Sequence, residues 1–311
     1  MIRRVPASAP IHWLIGAFRI FTRHPKAILL GTFNALMSFA GALLFVGITL
    51  GALLAMLGFN RAGAHSSFAL LAISIPIMLL TMLVPQLLMG GIAHLIHRGE
   101  TQGTAHPFDA YAGLRKENFL RLSPLVAIQV FSLVAAILLY AVFGGEHYFA
   151  DSSKYFSALL TTPSGATPKL PPPPEPRWPV ALFLSTMALN AFVYLLQLFA
   201  PIHAMVGHRS GLAAIVDCLR GFAANAPAML IAAMLSMLML FGFMLVVFLA
   251  LIVATAIAQA SPIVGSLLAL AIMMALASLG AAFWVAFGYC GWRDVLDADR
   301  DDAPDSGTVA L

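Results

Sequence analysis

The chain has 311 residues, 61% of them apolar and only 10% charged, with a mean hydropathy of +0.92, a net charge of +4 and a pI near 9.3. Soluble domains carry roughly 45–50% apolar and about 25% charged residues, so this composition excludes a water-soluble enzyme and leaves no length for one beside the membrane part. The basic residues flank apolar runs instead of filling one polar face, which argues against a nucleic-acid partner and for an anionic bilayer surface.

The opening "MIRRVPASAPIHW" has two arginines but no apolar stretch of signal-peptide length and no cleavage context, so it is expected to stay in the mature protein. Next, Ile11, Leu14, Ile15, Phe18 and Phe21 recur at spacings of three and four, while His12, Gly16, Arg19 and Arg23 fall elsewhere. That pattern predicts an amphipathic helix in the headgroup plane, with Trp13 at the membrane boundary and Pro25 and Lys26 turning the chain inward. An ordinary basic flank that fixes topology accounts for the same residues.

Six apolar segments follow, at 27–57, 67–96, 122–143, 180–206, 227–259 and 263–291, none containing Asp, Glu, Lys or Arg. Each exceeds or matches the roughly 20 residues of a transmembrane helix, and nothing alternates with the period of an outer-membrane barrel. Before the third segment the chain reads "FDAYAGLRKENFLRLSPL" and before the fifth "GLAAIVDCLRGFAANAPAML". In the latter, Leu212, Ile215, Val216, Leu219 and Phe222 form an apolar face that leaves Asp217 and Arg220 off it.

All three entrances pair an apolar residue with arginine, at Phe18-Arg19, Leu114-Arg115 and Leu219-Arg220, and each reaches a proline, Pro25, Pro124 or Pro227. The predicted fold is therefore all-α and polytopic: six transmembrane helices as three hairpins, each preceded by a cytoplasmic interfacial helix. The units run over about 10–97, 107–206 and 208–292 within one domain, 1–295. In the middle unit Lys116 and Glu117 interrupt the apolar face.

Lys and Arg number 5, 4, 2 and 2 in the segments assigned to one side and 1, 3 and 0 on the other, which places both termini in the cytoplasm. The longest outer loop, 144–179, contains Pro171 to Pro174 and is expected to act as a stiff polyproline spacer leading to Trp178. Residues 296–311 form an acidic tail expected to be disordered in the cytoplasm. Cys218 and Cys290 both fall on the cytoplasmic side, so no structural disulfide is expected.

The stretches "RRVPASAPIHWLIGAFRIFTRHP", "LLMGGIAHLIHRGE" and "FAPIHAMVGHRSGLAAIVDCLRGFAANAPAML" resemble an uncharacterised family of bacterial six-span inner-membrane proteins. More distantly they are similar to the membrane domain that accompanies some glycerophosphodiester phosphodiesterases. The likeness covers nearly the whole chain and implies a bacterial inner-membrane location and a six-helix fold. It supplies no catalytic residues, and no phosphodiesterase domain is present.

Intramembrane charges commonly mark ion or proton pathways, and the spans have none. Their amides, Asn34, Gln86, Gln129, Asn190 and Gln197, read as hydrogen-bonding glue between helices. His94, His97, His203 and His208 lie at the cytoplasmic ends of the second and fourth spans. Four imidazoles suit a metal, but "HLIH" lacks the Glu and spacing of a zinc-protease motif, so headgroup-facing histidines are expected. Gly47 and Gly51, and Ala250, Ala254 and Ala258, fit close helix packing within the bundle as well as dimerisation.

No nucleophile and base stand in a recognisable arrangement, and no cofactor or metal is expected. The chain thus reads as a non-enzymatic inner-membrane protein that binds lipid, organises the bilayer or scaffolds partners. Membrane lipids are the expected partners, nucleic acid is not, and homo-oligomerisation is left open. Headgroup contact is assigned to Arg19, Arg23, Lys26, Arg115 and Arg220. The alternative is a transporter or permease for a lipid or another apolar uncharged solute, suggested by the repeated hairpins and by Pro76, Pro85 and Pro201.

Overall fold

Helices account for all the regular structure in the computed structural model, which describes residues 2–56, 66–145, 147–161 and 172–297, and no strand occurs among them. In chain order they are α1 (Ala9–Arg23), α2 (Pro25–Met56), α3 (Ser66–Gln102), a 3₁₀ helix (Pro107–Leu114), α4 (Lys116–Leu122), a 3₁₀ turn (Ser123–Leu125) and α5 (Val126–Gly144). There follow α6 (Tyr148–Thr161), α7 (Pro179–Met205), α8 (Gly211–Ala224), α9 (Ala226–Ala260) and α10 (Pro262–Val295).

Among the described residues five stretches are long and apolar enough to cross a membrane: Pro25–Thr49, Lys116–Gly144, Pro179–Met205, Ala226–Gln259 and Ile263–Val295. These make the chain a multi-pass membrane protein. The predicted second span forms the body of α3, and most side chains of its first half lie outside the described residues, as do the connection at 57–65, Pro171 and the tail from 298 onward.

Proline starts α2, α7 and α10 and stands in the first turn of α9. Its fixed φ suits a first turn, where the missing N–H removes no helical hydrogen bond. Between α1 and α2 only His24 (φ −129°, ψ 49°) leaves the helical conformation, and between α8 and α9 only Asn225 (φ −126°, ψ 31°). The first and third predicted interfacial helices therefore form and turn into spans through one-residue corners. The middle one differs: the chain breaks at Arg115, whose ψ of 139° separates the 3₁₀ helix from α4. Lys116 and Glu117 follow directly, so the interruption seen in the sequence coincides with the end of one helix and the start of another.

The chain divides into two compact units, one comprising Met1–Val126 with Leu196–Leu311 and the other Ala127–Leu195. In the larger, α10 packs on α9, α1 and α2, while the 3₁₀ helix lies on α3 and α2. Its fully buried side chains, among them Trp13, Ile28, Leu95, Leu122, Phe199 and Phe287, cluster where the spans meet α1, the 3₁₀ helix and α8. Farther along, α2 exposes Leu44, Phe45 and Ile48, and α9 exposes Phe241, Leu245 and Phe248. Such contiguous apolar surface is untenable in water and is what acyl chains solvate.

Backbones come together most closely at α3. A Cβ on Gly91 would fall on the Ala110 carbonyl, and one on Gly113 on the Leu87 carbonyl, so glycine at both positions lets the 3₁₀ helix seat directly on the span. Among the described residues nothing lies within 4 Å of a Cβ on Gly47, and the side-chain surroundings of its predicted companion Gly51 lie outside them. Ala254 is buried, and Ala258 meets Gly265, so small residues do join α9 to α10.

The smaller unit holds α6, most of α5 and the first part of α7. Beyond the proline run the chain returns to the end of α5: Arg177 N–H donates to the Gly144 carbonyl and Trp178 N–H to the Phe143 carbonyl, both at 3.0 Å. Gly145 turns with φ +93°, and Tyr140 stacks on Tyr148 at 5.8 Å.

Candidate functional site

The side chains of α1 sort into three sets. Pro10, Trp13, Ala17 and Ile20 are buried against the larger unit, while Ile11, Ile15 and Phe18 are 49%, 53% and 59% exposed. His12, Arg19 and Arg23 form an exposed basic edge. The apolar stripe predicted from the sequence is therefore present and faces outward, but Trp13 is a correction: it lies in the core, 1% exposed, with its Nε1–H donated to Asp294 Oδ2 at 2.9 Å. Both sides of this helix are apolar. The small residues Ala9, Gly16 and Ala17 choose which side can approach other backbones.

The same division recurs on α8. Ala214, Cys218 and Gly221 face inward, Leu212, Val216 and Leu219 face outward, and Arg220 is exposed. Phe222 is buried, so it leaves the outward stripe to which its spacing assigned it. Burial in apolar surroundings pushes the Cys218 thiol above its ordinary range, making it inert. Cys290 is also buried, and both thiols are free. Of the other predicted headgroup residues, Lys26 is exposed, Arg23 reaches Glu100 at 3.3 Å, and Arg115 stands at the break before α4.

That break opens onto a pocket of about 380 Å³ lined by His94, His97, Arg98, Gln102, Arg115, Met205, Val206 and His208. Arg98 is fixed by Asp109 at 2.6 Å and by Gln102 at 3.1 Å. Asp109 in turn accepts the His106 N–H at 3.0 Å, tying the pocket wall to the start of the 3₁₀ helix. His97 Nδ1 meets the Tyr289 hydroxyl at 3.1 Å. His208 occupies the left-handed region at φ 52°, an uncommon conformation for a residue with a Cβ, and its Nδ1 lies 2.9 Å from Arg121. A guanidinium only donates, so Nδ1 accepts and the proton of His208 sits on Nε2.

His203 departs from the other histidines. Trp292 Nε1–H donates to its Nδ1 at 3.0 Å, and its Nε2 faces Asp217 at 3.3 Å, with Arg209 also on that carboxylate at 3.5 Å. These bonds tie α7, α8 and α10 together and hold the connection that carries His208. Three of the four predicted histidines thus share a pocket and one is structural. Among the described residues no group of three His, Cys, Asp or Glu is placed to hold a metal ion.

Sequence reasoning missed Asn225. Its side chain is 2% exposed, accepts Val5 N–H at 2.7 Å and donates to the Arg3 carbonyl at 2.8 Å, strapping the N-terminus to the α8–α9 corner. Of the amides predicted as glue, Gln129 and Gln197 each interact with another residue, Asn190 is exposed, and Gln86 is buried with no partner for its Oε1 among the described residues. No protein-family model matches the chain, and no curated protein or solved structure matches it either.

Proposed function

We propose that the chain is a non-enzymatic inner-membrane protein, six-spanning with both termini cytoplasmic, that grips the bilayer surface through α1 and α8 and so binds and organises lipid. One observation carries this reading: both helices pack one face on the core and present a separate outward apolar stripe beside exposed arginine. About half of each of those large side chains is exposed, so leaving them in water would forgo about 1 kcal/mol of burial apiece, which the acyl boundary of a membrane restores. Arg19, Arg23 and Arg220 then sit at phosphate level, where each basic residue adds about 1 kcal/mol of attraction to an anionic leaflet. The resemblance to bacterial six-span proteins fits the same location.

The test is charge reversal at Arg19, Arg23 and Arg220 together, leaving Arg115 untouched. Native lipid co-purification and anionic enrichment in mixed nanodiscs should both fall severalfold; unchanged retention sinks the surface role. The permease reading stays second, and solute flux into proteoliposomes that survives this triple variant would favour it.

A further inference from the structure

The pocket beside Arg115 carries more positive charge than the chain itself neutralises. Arg98 and Asp109 cancel at 2.6 Å. The Arg115 side chain makes no hydrogen bond or ion pair among the described residues, its backbone alone bonding to Ala112 and Phe119, and the Arg121 guanidinium reaches Nδ1 of His208. The imidazole of His94, half-buried in the wall, likewise has no hydrogen-bond partner among the described residues. Asp297 acts on His97 from just beyond α10, and Asp109 is already held by Arg98 and the His106 amide.

A cation would meet guanidinium groups here, and an apolar guest would strand their N–H donors without partners. A carboxylate offers two oxygens in one plane, whereas these donors come from three separate elements: α3, the break at Arg115 and the α7–α8 connection. A tetrahedral oxyanion meets donors from several directions, and Arg matches its geometry. The volume of about 380 Å³ also leaves room for a substituent on that anion.

We infer that this pocket binds a phosphate group, with Arg115 as its principal charge, His94 and the Nε2–H of His208 as further donors, and Arg98 and Gln102 as the fixed floor. Rigid second bonds hold these groups in place: Arg98 by Asp109, His208 by Arg121 and its left-handed backbone. The site is separate from the surface grip, sharing only Arg115 with the predicted headgroup residues.

The phosphate has two sources, a lipid headgroup or a soluble phosphate, and two arms tell them apart. In the first, the full chain in phosphatidylcholine nanodiscs is titrated with inorganic phosphate by calorimetry. In the second, the chain is taken from nanodiscs containing phosphatidylglycerol into mild detergent, and retained lipid is counted by native mass spectrometry. Arg115→Gln and His94→Gln are compared with the parent, and a thermal melt confirms that each is folded.

Saturable phosphate binding weakened at least tenfold by Arg115→Gln supports a soluble ligand. Phosphatidylglycerol retention lost in that variant, without phosphate binding, supports a headgroup. Should Arg115→Gln fail to fold, a threefold or greater loss in His94→Gln supports the site and parental behaviour overturns it. Absence of saturable binding in both arms, or parental behaviour in both folded variants, also overturns the inference. Loss of the surface grip alone does not touch these readouts, because Arg19, Arg23 and Arg220 are intact.

Discussion

Trp13→Ala should lift α1 locally and expose Cys290 while the rest of the larger unit stays folded. Trp13 is 1% exposed and meets Phe199 and Phe287 edge-on, each at 6.1 Å between ring centroids. Truncating a buried Trp costs about 3–5 kcal/mol, and here the hydrogen bond to Asp294 goes with it. Close along the helix, Gly16 lies directly on Cys290: a Cβ there would be 2.8 Å from its Sγ.

Cys290, 3% exposed, is therefore shielded by α1 itself. With labelling proportional to the opened population and about 1.4 kcal/mol per decade, its maleimide reaction should accelerate by about two to three orders of magnitude. Peptide mass spectrometry separates Cys290 from Cys218, which sits on α8 and should accelerate far less. A rise at Cys290 below about tenfold, or equal acceleration of both thiols, refutes the reasoning.

Asn225→Ala should release residues 2–8, since it strands the Val5 amide and the Arg3 carbonyl at a cost of about 1–3 kcal/mol; tryptic cleavage after Arg3 and Arg4 should speed up at least severalfold. Gly91→Val should push the 3₁₀ helix off α3 and lower the midpoint of a thiol-dye melt by several degrees, because the obstructing atom is the Ala110 carbonyl rather than a movable side chain. Gly47→Val, whose added atoms meet none of the described residues, should leave the melt unchanged.

Five of the six predicted spans recur as helices long and apolar enough to cross a membrane, because length and apolarity alone decide them: the helix from Ala226 to Ala260 brackets the predicted 227–259 by a residue at each end. Helices α1 and α8 were legible from their period. Which face packs was not, because a membrane helix has an apolar neighbour on both sides, and a large side chain such as Trp13 gives no sign of which one it meets. Small residues gave the better sign. Gly16 with Ala17, and Ala214 with Gly221, mark the faces that touch other helices.

The pocket was half legible. His94, His97 and His208 were singled out together, but His203, alike in sequence, is turned aside by Trp292 and Asp217, each distant in the chain or on another helix. Arg115 was assigned to headgroups on the strength of a repeat. Its place in the pocket depends on the backbone break that follows Leu114, which no hydrophobic period encodes.

The uneven burial of the larger unit divides control of its helices between protein and solvent. With 35 residues, α9 measures about 52 Å at 1.5 Å per residue, well beyond a hydrocarbon core of about 30 Å. Its first turns are fixed by side-chain packing, whereas its far half pairs with α10 and otherwise exposes apolar side chains among the described residues. A thicker or thinner bilayer would therefore be accommodated by tilting α9 and α10 together about their packed end, with the region around Arg115 and His94 undisturbed. A change of thickness would then be met by the exposed half of this helix pair and leave its packed half in place.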